Sequence, residues 1–533
     1  MSLLTFIQRG ENEIMNSDTL QILIAMTAYM AVVIGIGVVF ARRANQSSED
    51  YFLGGRSLGP WVAAMSAEAS DMSGWLLMGL PGVAYWSGLA DASWTAIGLA
   101  AGTYLNWLIV SKRLRRYSVK AGNSITLPEF FSNRFQEEKK VIMTISALFI
   151  LIFFTVYAAS CLVTCGKLFS TLFGASYVSM MILGAIFVLV YTILGGFLAE
   201  SASDFMQAIV MIIALTLIVI TGTYAAGGLE TVVENAKGIP GFFQFFGIST
   251  PKVDAGGIQI IENGSPMFGE AANYGVITIL SSLAWGLGYF GMPQVLLRFM
   301  AIRSEDELTD SRRIATVWVL ISLTVAVFIG IVGRSLYSTS LSTASESENI
   351  FILLSTSLLP PLLAGFVMAG ILAATISSSD SYLLIAASAV AKNIYQGLFK
   401  KNAGDKEIMN VSRITLLVVT AIAIFIAMDE NSVIFTIVSF AWAGFGATFG
   451  PLMLFSLFWK RINHTGAVAG MVGGGGMVFI WKLLVRPLGG AWNIYELLPA
   501  FLFSCVLIVA VSLLTPPPSE KLQAEFDEVR KKI

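Results

Sequence analysis

The chain has 533 residues, of which 56% are hydrophobic and 13% are charged, and its formal net charge at pH 7 is −1. A soluble domain carries roughly twice that charged fraction, so the composition excludes a large water-soluble enzyme. The small net charge argues against a nucleic-acid partner, and the single histidine, His464, argues against catalysis built on histidine.

Long apolar blocks separated by short polar loops occupy most of the chain. Each block is close to the ~20 residues that a helix needs to cross the hydrocarbon layer. The sequence therefore predicts an all-α integral membrane protein in a lipid bilayer. It has an N-terminal segment over residues 1–18, a transmembrane domain over 19–515, and a tail over 516–533 that is either a short helix or disordered. The predicted membrane-spanning helices, about 13 in number, cover residues 19–41, 60–87, 93–112, 141–170, 176–195, 204–225, 273–298, 313–336, 357–394, 409–427, 432–459, 465–486 and 495–515.

Lysine and arginine indicate how these helices are oriented. When the N-terminus is placed outside the cell, 26 of the 33 basic residues lie in inner loops or in the C-terminal tail. Cytoplasmic loops of membrane proteins carry this excess of positive charge. The sequence therefore predicts an extracellular N-terminus and a cytoplasmic C-terminus, with the longest loop, residues 226–272, outside.

Polar residues interrupt the second span near its middle. The span reads WVAAMSAEASDMSGWLLMGLPG and contains Glu68, Ser70, Asp71, Ser73 and Gly74. An ionised carboxylate inside the bilayer is costly unless a cation or hydrogen bonds offset the cost. Asp71 is therefore a candidate for a cation site. The alternative is a helix cap at a break, or a carboxylate paired to another helix.

Asp204 opens the sixth predicted span. An acid close to a helix N-terminus is stabilised by the positive end of the helix dipole. The position therefore fits a simple helix cap and a member of an ion relay equally well.

Glycine and proline weaken the seventh span, which reads AWGLGYFGMPQ over residues 284–294. Its helix-weakening residues are Gly286, Gly288, Gly291 and Pro293. Trp285 and Tyr289 are four positions apart and share one helix face. They either pack against neighbouring helices or, where the backbone unwinds, line a cavity. Matching interruptions in the second and seventh spans, five helices apart, indicate an inverted-repeat transporter with its site at mid-membrane.

The ninth span carries a dense polar patch in the sequence ILAATISSSDSYLL. Ser377, Ser378 and Ser381 can face one side of this helix, and Asp380 lies among them. Hydroxyl and carbonyl oxygens are suitable ligands for a small hard cation. The alternative is that the serines bond to their own helix and pack against a neighbour, as is common in membrane helices.

These motifs resemble those of the solute:sodium symporters, and within that family those of the group that carries proline. The matching stretches appear in family order and spacing, and the similarity runs from about residue 20 to 515. They are GGRSLGP (Gly54–Pro60), SDMSGWLLMGLPG (Ser70–Gly82), GGFLAESASD (Gly195–Asp204), WGLGYFGMP (Trp285–Pro293) and AWAGFGATFGP (Ala441–Pro451). The resemblance implies a five-plus-five inverted-repeat fold of the leucine-transporter type in spans 2–11, and a location in the bacterial plasma membrane.

The resemblance also implies residue roles. A sodium ion, co-transported with L-proline, would lie between the broken second span and the ninth span. Its ligands would be the backbone carbonyls of Ala69, Met72 and Ala374 and the hydroxyls of Ser377 and Ser378. The residues implied in coupling are Asp71, Ser73, Gly74, Asp204 and, on the cytoplasmic side, Arg56. Proline would lie against Tyr157, Trp285, Tyr289 and Pro293.

The chain departs from the expected family pattern at three positions. Glu68 stands where a small residue is expected, Asp380 where a small hydroxyl or apolar residue is expected, and Ser378 in place of threonine. The serine keeps the hydroxyl. The two extra acids lie near the implied cation pathway, so they could alter the ion stoichiometry or admit protons.

The resulting hypothesis is secondary active import of proline, coupled to sodium entry by alternating access, rather than enzyme activity. The alternative is a sodium- or proton-coupled symporter of another small amino acid or a zwitterionic osmolyte. The sequence predicts no buried arginine or lysine for a second carboxylate, which favours a compact zwitterion. A membrane-embedded enzyme or a sensor is disfavoured, because the chain has one histidine and only 18 residues after position 515.

Overall fold

The computed structural model describes residues 17–44 and 48–531. Nearly all of this part of the chain is helical. The α-helices are α1 (Ser17–Ala44), α2 (Ser48–Leu53), α3 (Pro60–Asp71), α4 (Leu80–Ser87), α5 (Leu89–Leu105), α6 (Ser111–Lys120), α7 (Leu127–Arg134), α8 (Val141–Phe173), α9 (Tyr177–Ala225), α10 (Leu229–Lys237), α11 (Val276–Leu283), α12 (Pro293–Ala301), α13 (Leu308–Leu336), α14 (Ala344–Ser347), α15 (Ile350–Leu358), α16 (Pro361–Ser388), α17 (Asp405–Ile426), α18 (Ile434–Phe458), α19 (His464–Ile480), α20 (Leu497–Leu514) and α21 (Glu520–Lys531). Short π-helical or 3₁₀ segments continue or join several of them: Gly54–Arg56, Trp75–Gly79, Asn106–Val110, Ala284–Gly291, Ala389–Phe399, Trp481–Val485, Arg486–Leu488 and Gly490–Trp492.

The loop between α9 and α11 holds α10 and two small antiparallel strand pairs. β1 (Gly247–Ile248) pairs with β4 (Ala272–Asn273), and β2 (Ile261–Glu262) pairs with β3 (Ser265–Pro266). The loop is fastened to the start of α5, where the backbone N–H of Leu89 donates to the carbonyl of Phe242 at 2.7 Å. These short elements form a cover over one end of the helical bundle.

By length and hydropathy, nine helices of the described chain are suited to cross a membrane, or ten if the bent pair around residue 292 is counted as one span. An all-α membrane protein is therefore confirmed, and the count of 13 spans stays a prediction. The second predicted span is missing from this count because its helix is broken, and polar residues lie at the break. The ninth predicted span begins with a separate helix, α15, and continues as α16 beyond the Pro360-Pro361 pair.

The predicted fifth and sixth spans are two helices within α9, which meet without a loop at a kink at Gly196. Gly196 has φ 59° and ψ −177°, a conformation that is strongly unfavourable for residues with a Cβ. Asp204 therefore lies about two helical turns beyond the bend rather than at a helix start. The expectation that Asp204 opens a helix is wrong, because the helical path resumes directly after the bend.

The second span is broken as predicted. α3 ends at Asp71, Met72 takes φ −85° and ψ 74°, and the helix resumes in the π-helical turn Trp75–Gly79 before α4. A Cβ on Gly74 would lie 2.3 Å from the Thr164 hydroxyl of α8. Only glycine therefore permits α8 to approach the break this closely.

The seventh span is also broken as predicted. α11 tightens into the 3₁₀ segment Ala284–Gly291, and α12 starts at Pro293 with a bend of 42°. A Cβ on Gly291 would lie 2.3 Å from the carbonyl oxygen of Phe445 in α18, so this glycine is needed for backbone contact.

Helix α16 packs against α3 and α8, and its middle is buried, so the polar patch of the ninth span faces the broken second span inside the protein.

Candidate functional site

The hydroxyls of α16 converge on a backbone carbonyl at the end of α3. Ser377 Oγ donates to the carbonyl oxygen of Ala69 at 2.8 Å, and Ser378 Oγ donates to the same oxygen at 3.3 Å. Ser377 Oγ is also 3.2 Å from the carbonyl oxygen of Ala374. The break makes the Ala69 oxygen available, because the N–H of Ser73, its ordinary helical donor, bonds to Asp71 instead.

This arrangement brings together four of the five sodium ligands that the family resemblance implies. Met72, the fifth, is buried in the break three residues after Ala69. The contacting atoms are carbonyl and hydroxyl oxygens, which are hard, uncharged ligands suited to a small cation. The oxygens of Ala69, Ala374, Ser377 and Ser378 form the cation cluster, and these four residues are completely buried. Ser379, the next residue on α16, bonds instead to its own helix, with its Oγ 2.6 Å from the Thr375 carbonyl oxygen.

Asp71 connects the two broken spans. Its Oδ2 accepts a hydrogen bond from the Tyr289 hydroxyl at 2.8 Å, and its Oδ1 accepts one from Gln294 Nε2 at 3.3 Å. Both donors are uncharged and belong to the seventh span. The carboxylate is buried between these spans beside the cation cluster, so the pairing of Asp71 to another helix is confirmed as geometry. Its part in coupling stays a prediction.

Ser73 and Gly74 complete the break. The Ser73 hydroxyl is buried and has no hydrogen-bond partner within the described chain. Gly74 faces Thr164 of α8, as noted above. These two residues thus shape the backbone turn beside Asp71, which is consistent with their predicted position and leaves their role in coupling as a prediction.

The aromatic residues implied in proline binding lie in two groups. Tyr157 stacks on Tyr382 with ring centroids 4.2 Å apart, and its hydroxyl lies 3.5 Å from the Asp71 carbonyl oxygen. Tyr289 packs edge-on against Trp442 at 5.0 Å and also bonds to Asp71. These two tyrosines therefore approach the break of the second span from different helices.

Trp285 packs among four other rings. Its ring centroid lies 4.9 Å from Phe435, 5.0 Å from Tyr495, 6.1 Å from Trp442 and 6.4 Å from Trp75. Trp285 is 4% exposed, so the ring is enclosed in this conformation. The alternative of aromatic packing against neighbouring helices thus describes Trp285. Pro293 is buried at the start of α12 and sets the bend rather than adding to this cluster.

Several residues of the site were not predicted as site residues. Gln294 directly follows the predicted Pro293, and Tyr382 follows the serine patch. Trp442 lies in the motif AWAGFGATFGP, and its Nε1 donates to the carbonyl oxygen of Trp285 at 2.8 Å. These three residues could have been found from the sequence, because each lies in or next to a recognised motif. Tyr495, in the segment between α19 and α20, had no such signal.

A buried ion-pair network lies beside the cation cluster. Arg298 in α12 is completely buried; it contacts Glu200 and lies 3.1 Å from Asp204 Oδ2. Its Nε donates to Ser66 Oγ at 3.0 Å, and Ser66 donates to the same Asp204 oxygen at 2.7 Å. Asp204 is therefore an ion-pair partner rather than a helix cap, and its role in coupling or in an ion relay stays a prediction.

Arg298 and Lys167 are buried, but each has an acid partner, so neither is free to bind a second carboxylate of a substrate. Arg298, at the end of the predicted seventh span, lies inside the protein, where two acids of α9 compensate its charge. Lys167 of α8 is likewise buried and lies 2.7 Å from Glu348 Oε2. The sequence signal for the first pair was the spacing of Glu200 and Asp204, which places both acids on one helix face.

The two acids that depart from the family pattern lie in different surroundings. Glu68 accepts a hydrogen bond from Trp107 Nε1 at 3.2 Å through Oε1. Asp380 accepts one from the backbone N–H of Ser381 at 2.8 Å through Oδ1. In each carboxyl group the second oxygen is buried without a hydrogen-bond partner among residues 17–44 and 48–531.

Arg56 lies away from this site, at the end of the molecule opposite the 226–275 loop. It donates to the Met300 carbonyl at 2.6 Å, the Ser124 carbonyl at 2.7 Å, Asn123 Oδ1 at 3.0 Å and Ser118 Oγ at 3.1 Å. Burial lowers the pKa of Arg56 to about 10, which leaves it charged near neutral pH. Arg56 therefore ties the end of α12 to the segment after α6.

Known proteins match this chain along most of its length. The model of the sodium:solute symporter family matches residues 51–474. The sodium/proline symporter of Haemophilus influenzae is 41% identical over 518 residues, covering 96% of this chain and 97% of that protein. The high-affinity proline transporter PutP of Bacillus subtilis is 41% identical over 490 residues, covering 92% and 97%. A substrate-bound, outward-open Na⁺-coupled sialic acid symporter of known structure superposes with a TM-score of 0.75 at 19% identity, covering 94% of this chain and 99% of that one.

The structural match confirms the predicted helical core of the leucine-transporter type. The family match spans both broken helices and the serine patch of α16, so the resemblance inferred from the motifs is confirmed as well. The chain belongs to the sodium:solute symporter family of multi-pass membrane transporters.

Proposed function

We propose that this protein imports L-proline by symport with sodium. The observation that supports the proposal most directly is the cluster in which Ser377 and Ser378 meet the freed carbonyl of Ala69. It lies two residues from Asp71, which bonds to Tyr289 of the other broken span. The cation cluster and the aromatic residues are thus connected through one short break in α3.

This connection supplies a physical route for coupling. A sodium ion among the oxygens of Ala69, Ser377 and Ser378 would replace hydroxyl–carbonyl hydrogen bonds with ion–oxygen contacts and would fix the end of α3. The order imposed there would extend through Asp71 to Tyr289. Sodium and substrate then each favour the same conformation of the two spans, which is the requirement for reciprocal coupling between two ligands.

Proline fits the chemistry of the breaks. Its carboxylate can accept from backbone N–H groups at the half-helix ends, where the helix dipole favours negative charge. Its ring can lie on the faces of Tyr157 and Tyr289, and on that of Trp285 in a conformation in which the rings packed around it separate. The protein then opens to the inside, where sodium is dilute, and releases both. The membrane potential supplies about 2.3 kcal/mol per charge per 100 mV, so one sodium ion can support accumulation of a zwitterion.

The cellular setting is part of the same proposal. The protein resides in the bacterial plasma membrane with its N-terminus outside and its C-terminus in the cytoplasm, as the distribution of basic residues indicates. In this orientation the 226–275 loop covers the outer end. Arg56 and α21 lie at the cytoplasmic end.

Proline uptake by purified protein in liposomes tests the proposal. An inward sodium gradient should accelerate the uptake of labelled proline, and replacement of sodium by choline should reduce uptake to background. Ser377→Ala combined with Ser378→Ala should remove the sodium stimulation. Ser379→Ala is the matched control, because this hydroxyl bonds to its own helix and should leave transport near normal. Uptake that is equal with and without sodium, or a double variant with full activity, would contradict sodium symport through this cluster.

A proton-coupled alternative has one specific observation in its favour. Glu68 and Asp380 each have a buried oxygen without a partner in the part of the chain that the structure describes. Uptake driven by a proton gradient at fixed external pH, measured without sodium, distinguishes the two coupling ions. Competition of labelled proline by other unlabelled amino acids and osmolytes tests the substrate separately.

A further inference from the structure

A polar cavity, separate from the candidate site, lies at the end of the molecule covered by the 226–275 loop. Its volume is about 610 Å³, and it lies between α10, the end of α13 and the loop. The lining residues that can form polar contacts include Glu234, Asn235, Arg334, Ser335 and Ser338. None of these residues belongs to the cation cluster or to the aromatic residues of the candidate site.

Arg334, in the last turn of α13, is held in a fixed orientation at this cavity. The side chain is 2% exposed, and the guanidinium lies 4.8 Å from the ring centroids of both Tyr85 and Phe268. Its Nη2 donates to Gln259 Oε1 at 2.7 Å. Nε and Nη1 are buried without a hydrogen-bond partner anywhere in the described chain. The group is therefore oriented, positively charged and incompletely bonded.

Two of the other three buried cations of the described chain have acid partners, whereas the third, Arg134, lies over the Tyr117 ring and donates to the Ser456 carbonyl. Arg298 contacts Glu200 and Asp204, and Lys167 contacts Glu348. The aromatic faces beside Arg334 attract its charge, but they do not accept from the N–H groups in the plane of the guanidinium. A buried charge without a counter-ion is costly. An anionic oxygen in the adjoining cavity would supply the missing partner.

We propose that this cavity is a binding site for a small carboxylate, which Arg334 anchors. The carboxylate would accept from Nε and Nη1, and hydroxyls of Ser335 and Ser338 lie at the same cavity to complete its hydrogen bonding. A simple organic acid and the carboxylate end of a free amino acid share this chemistry. Glu234 on the same wall favours the amino acid, because its charge suits the cationic group of a zwitterion.

The site contacts the second half of the broken second span through Tyr85. Tyr85 belongs to α4, the second half of the broken second span, and its hydroxyl donates to the Tyr337 carbonyl at 2.6 Å. A ligand bound to Arg334 would therefore act on α4 through the Tyr85 ring, which packs against the guanidinium. The site does not depend on the proposed sodium coupling, since it shares no residue with the cation cluster.

Thermal unfolding of the purified full-length protein in sodium-free choline buffer tests this proposal. Acetate, proline or chloride is added at increasing concentration, and a bulky sulfonate salt keeps the ionic strength constant. Acetate and proline should raise the melting temperature in a saturable manner. Arg334→Gln should increase the concentration needed for the half-maximal shift by at least about tenfold, because charge-assisted hydrogen bonds are lost. Arg313→Gln, an exposed residue at the opposite end of α13, should behave as the unchanged protein does.

Ser338→Phe provides a second variant in case Arg334→Gln does not fold. It leaves Arg334 and its aromatic neighbours in place and obstructs the cavity, so it should also abolish the shift. A lower half-maximal concentration for proline than for acetate identifies an amino acid as the occupant, and the reverse order identifies a simple acid. Equal shifts in the unchanged protein and in both variants overturn the site, and an equal shift by chloride overturns its assignment to carboxylates.

Discussion

Asp71 is the residue through which the two broken spans contact each other. The Tyr289 hydroxyl and the Gln294 amide, both from the seventh span, donate to its two carboxylate oxygens. Neither donor carries a charge, so the carboxylate is stabilised only in part. The cation cluster lies two residues away at Ala69. A positive ion bound there would be felt strongly by Asp71, since electrostatic interactions are weakly screened in a buried site.

The substitution Asp71→Asn should reduce sodium-stimulated proline uptake at least about tenfold while the protein still reaches the membrane. The amide keeps the size of the side chain but loses the charge that attracts the ion, and one of its two positions becomes a donor facing other donors. Tyr289→Phe removes a single hydrogen bond and should give a smaller loss. Initial uptake rates against sodium concentration measure both effects. Near-normal uptake by the asparagine variant would remove Asp71 from the coupling mechanism.

Arg298 and Glu200 allow a prediction that depends on the balance of charge. Arg298→Gln leaves Glu200 and Asp204 buried without their cation, which should lower the free energy of unfolding by about 3–5 kcal/mol. Adding Glu200→Gln to that variant removes one of the unpaired charges. The double variant should therefore be more stable than Arg298→Gln alone. Melting temperatures in detergent compare them, and a double variant that is less stable than Arg298→Gln alone would show that charge balance is not what Arg298 provides.

At the scale of helices, the breaks were predictable because their causes are local. Polar residues and glycine at 70–74, and glycines with proline at 286–293, weaken a helix wherever it lies. The break at Gly196 agrees with the prediction of two separate spans, 176–195 and 204–225, but the absence of a loop between them was not predicted. The pairing of Arg298 with α9 was also not predicted. It depends on how two distant helices pack, and no local pattern in the sequence specifies that contact.

Gly74→Ala tests whether the break depends on close helix approach. The new Cβ would lie 2.3 Å from Thr164 Oγ1 and 2.5 Å from Thr164 Cγ2, so α8 or the break must move. Proline uptake should fall severalfold, since overpacking of this kind typically costs about 1–3 kcal/mol. Thr164→Ala removes the two nearest atoms but keeps Cβ, which lies 2.9 Å from the new methyl group, so it should restore part of the activity. Gly476→Ala in α19 is the matched control, because a Cβ there meets no atom within 4 Å.

Over the whole molecule, the contacts that were predicted from sequence and from resemblance are those between residues of recognisable motifs. The meeting of Ser377 and Ser378 with the Ala69 carbonyl was implied by the resemblance, and the geometry agrees. The surroundings of Trp285 were not predictable, because Phe435 and Tyr495 reach it from segments more than 100 residues away. The sequence indicated which residues were unusual, and only the packed structure indicates what each of them contacts.

The C-terminal helix α21 packs against the end of the molecule that carries Arg56. Phe526 and Val529 are buried against the body of the protein, and the Arg134 guanidinium lies 5.6 Å from the Phe526 ring centroid. Arg116 of α6 donates to the Val529 carbonyl at 2.9 Å. α6 also carries Ser118, which accepts from Arg56. The tail is thus joined through α6 to the contacts that Arg56 makes with the end of α12.

Apolar burial, rather than ion pairing, should hold this helix in place. Lys460 and Asp527 form an ion pair at 2.5 Å, but both side chains are about two-fifths exposed, and exposed pairs contribute about 0–1 kcal/mol. Truncation of a buried phenylalanine costs more, about 2–3 kcal/mol for a docked surface helix. Phe526→Ala should therefore increase the rate of tryptic cleavage after Lys521 by about 30-fold or more, because cleavage follows the population of the undocked helix. Asp527→Asn should change it less than about fivefold, and equal acceleration by both variants would assign the docking of α21 to charge.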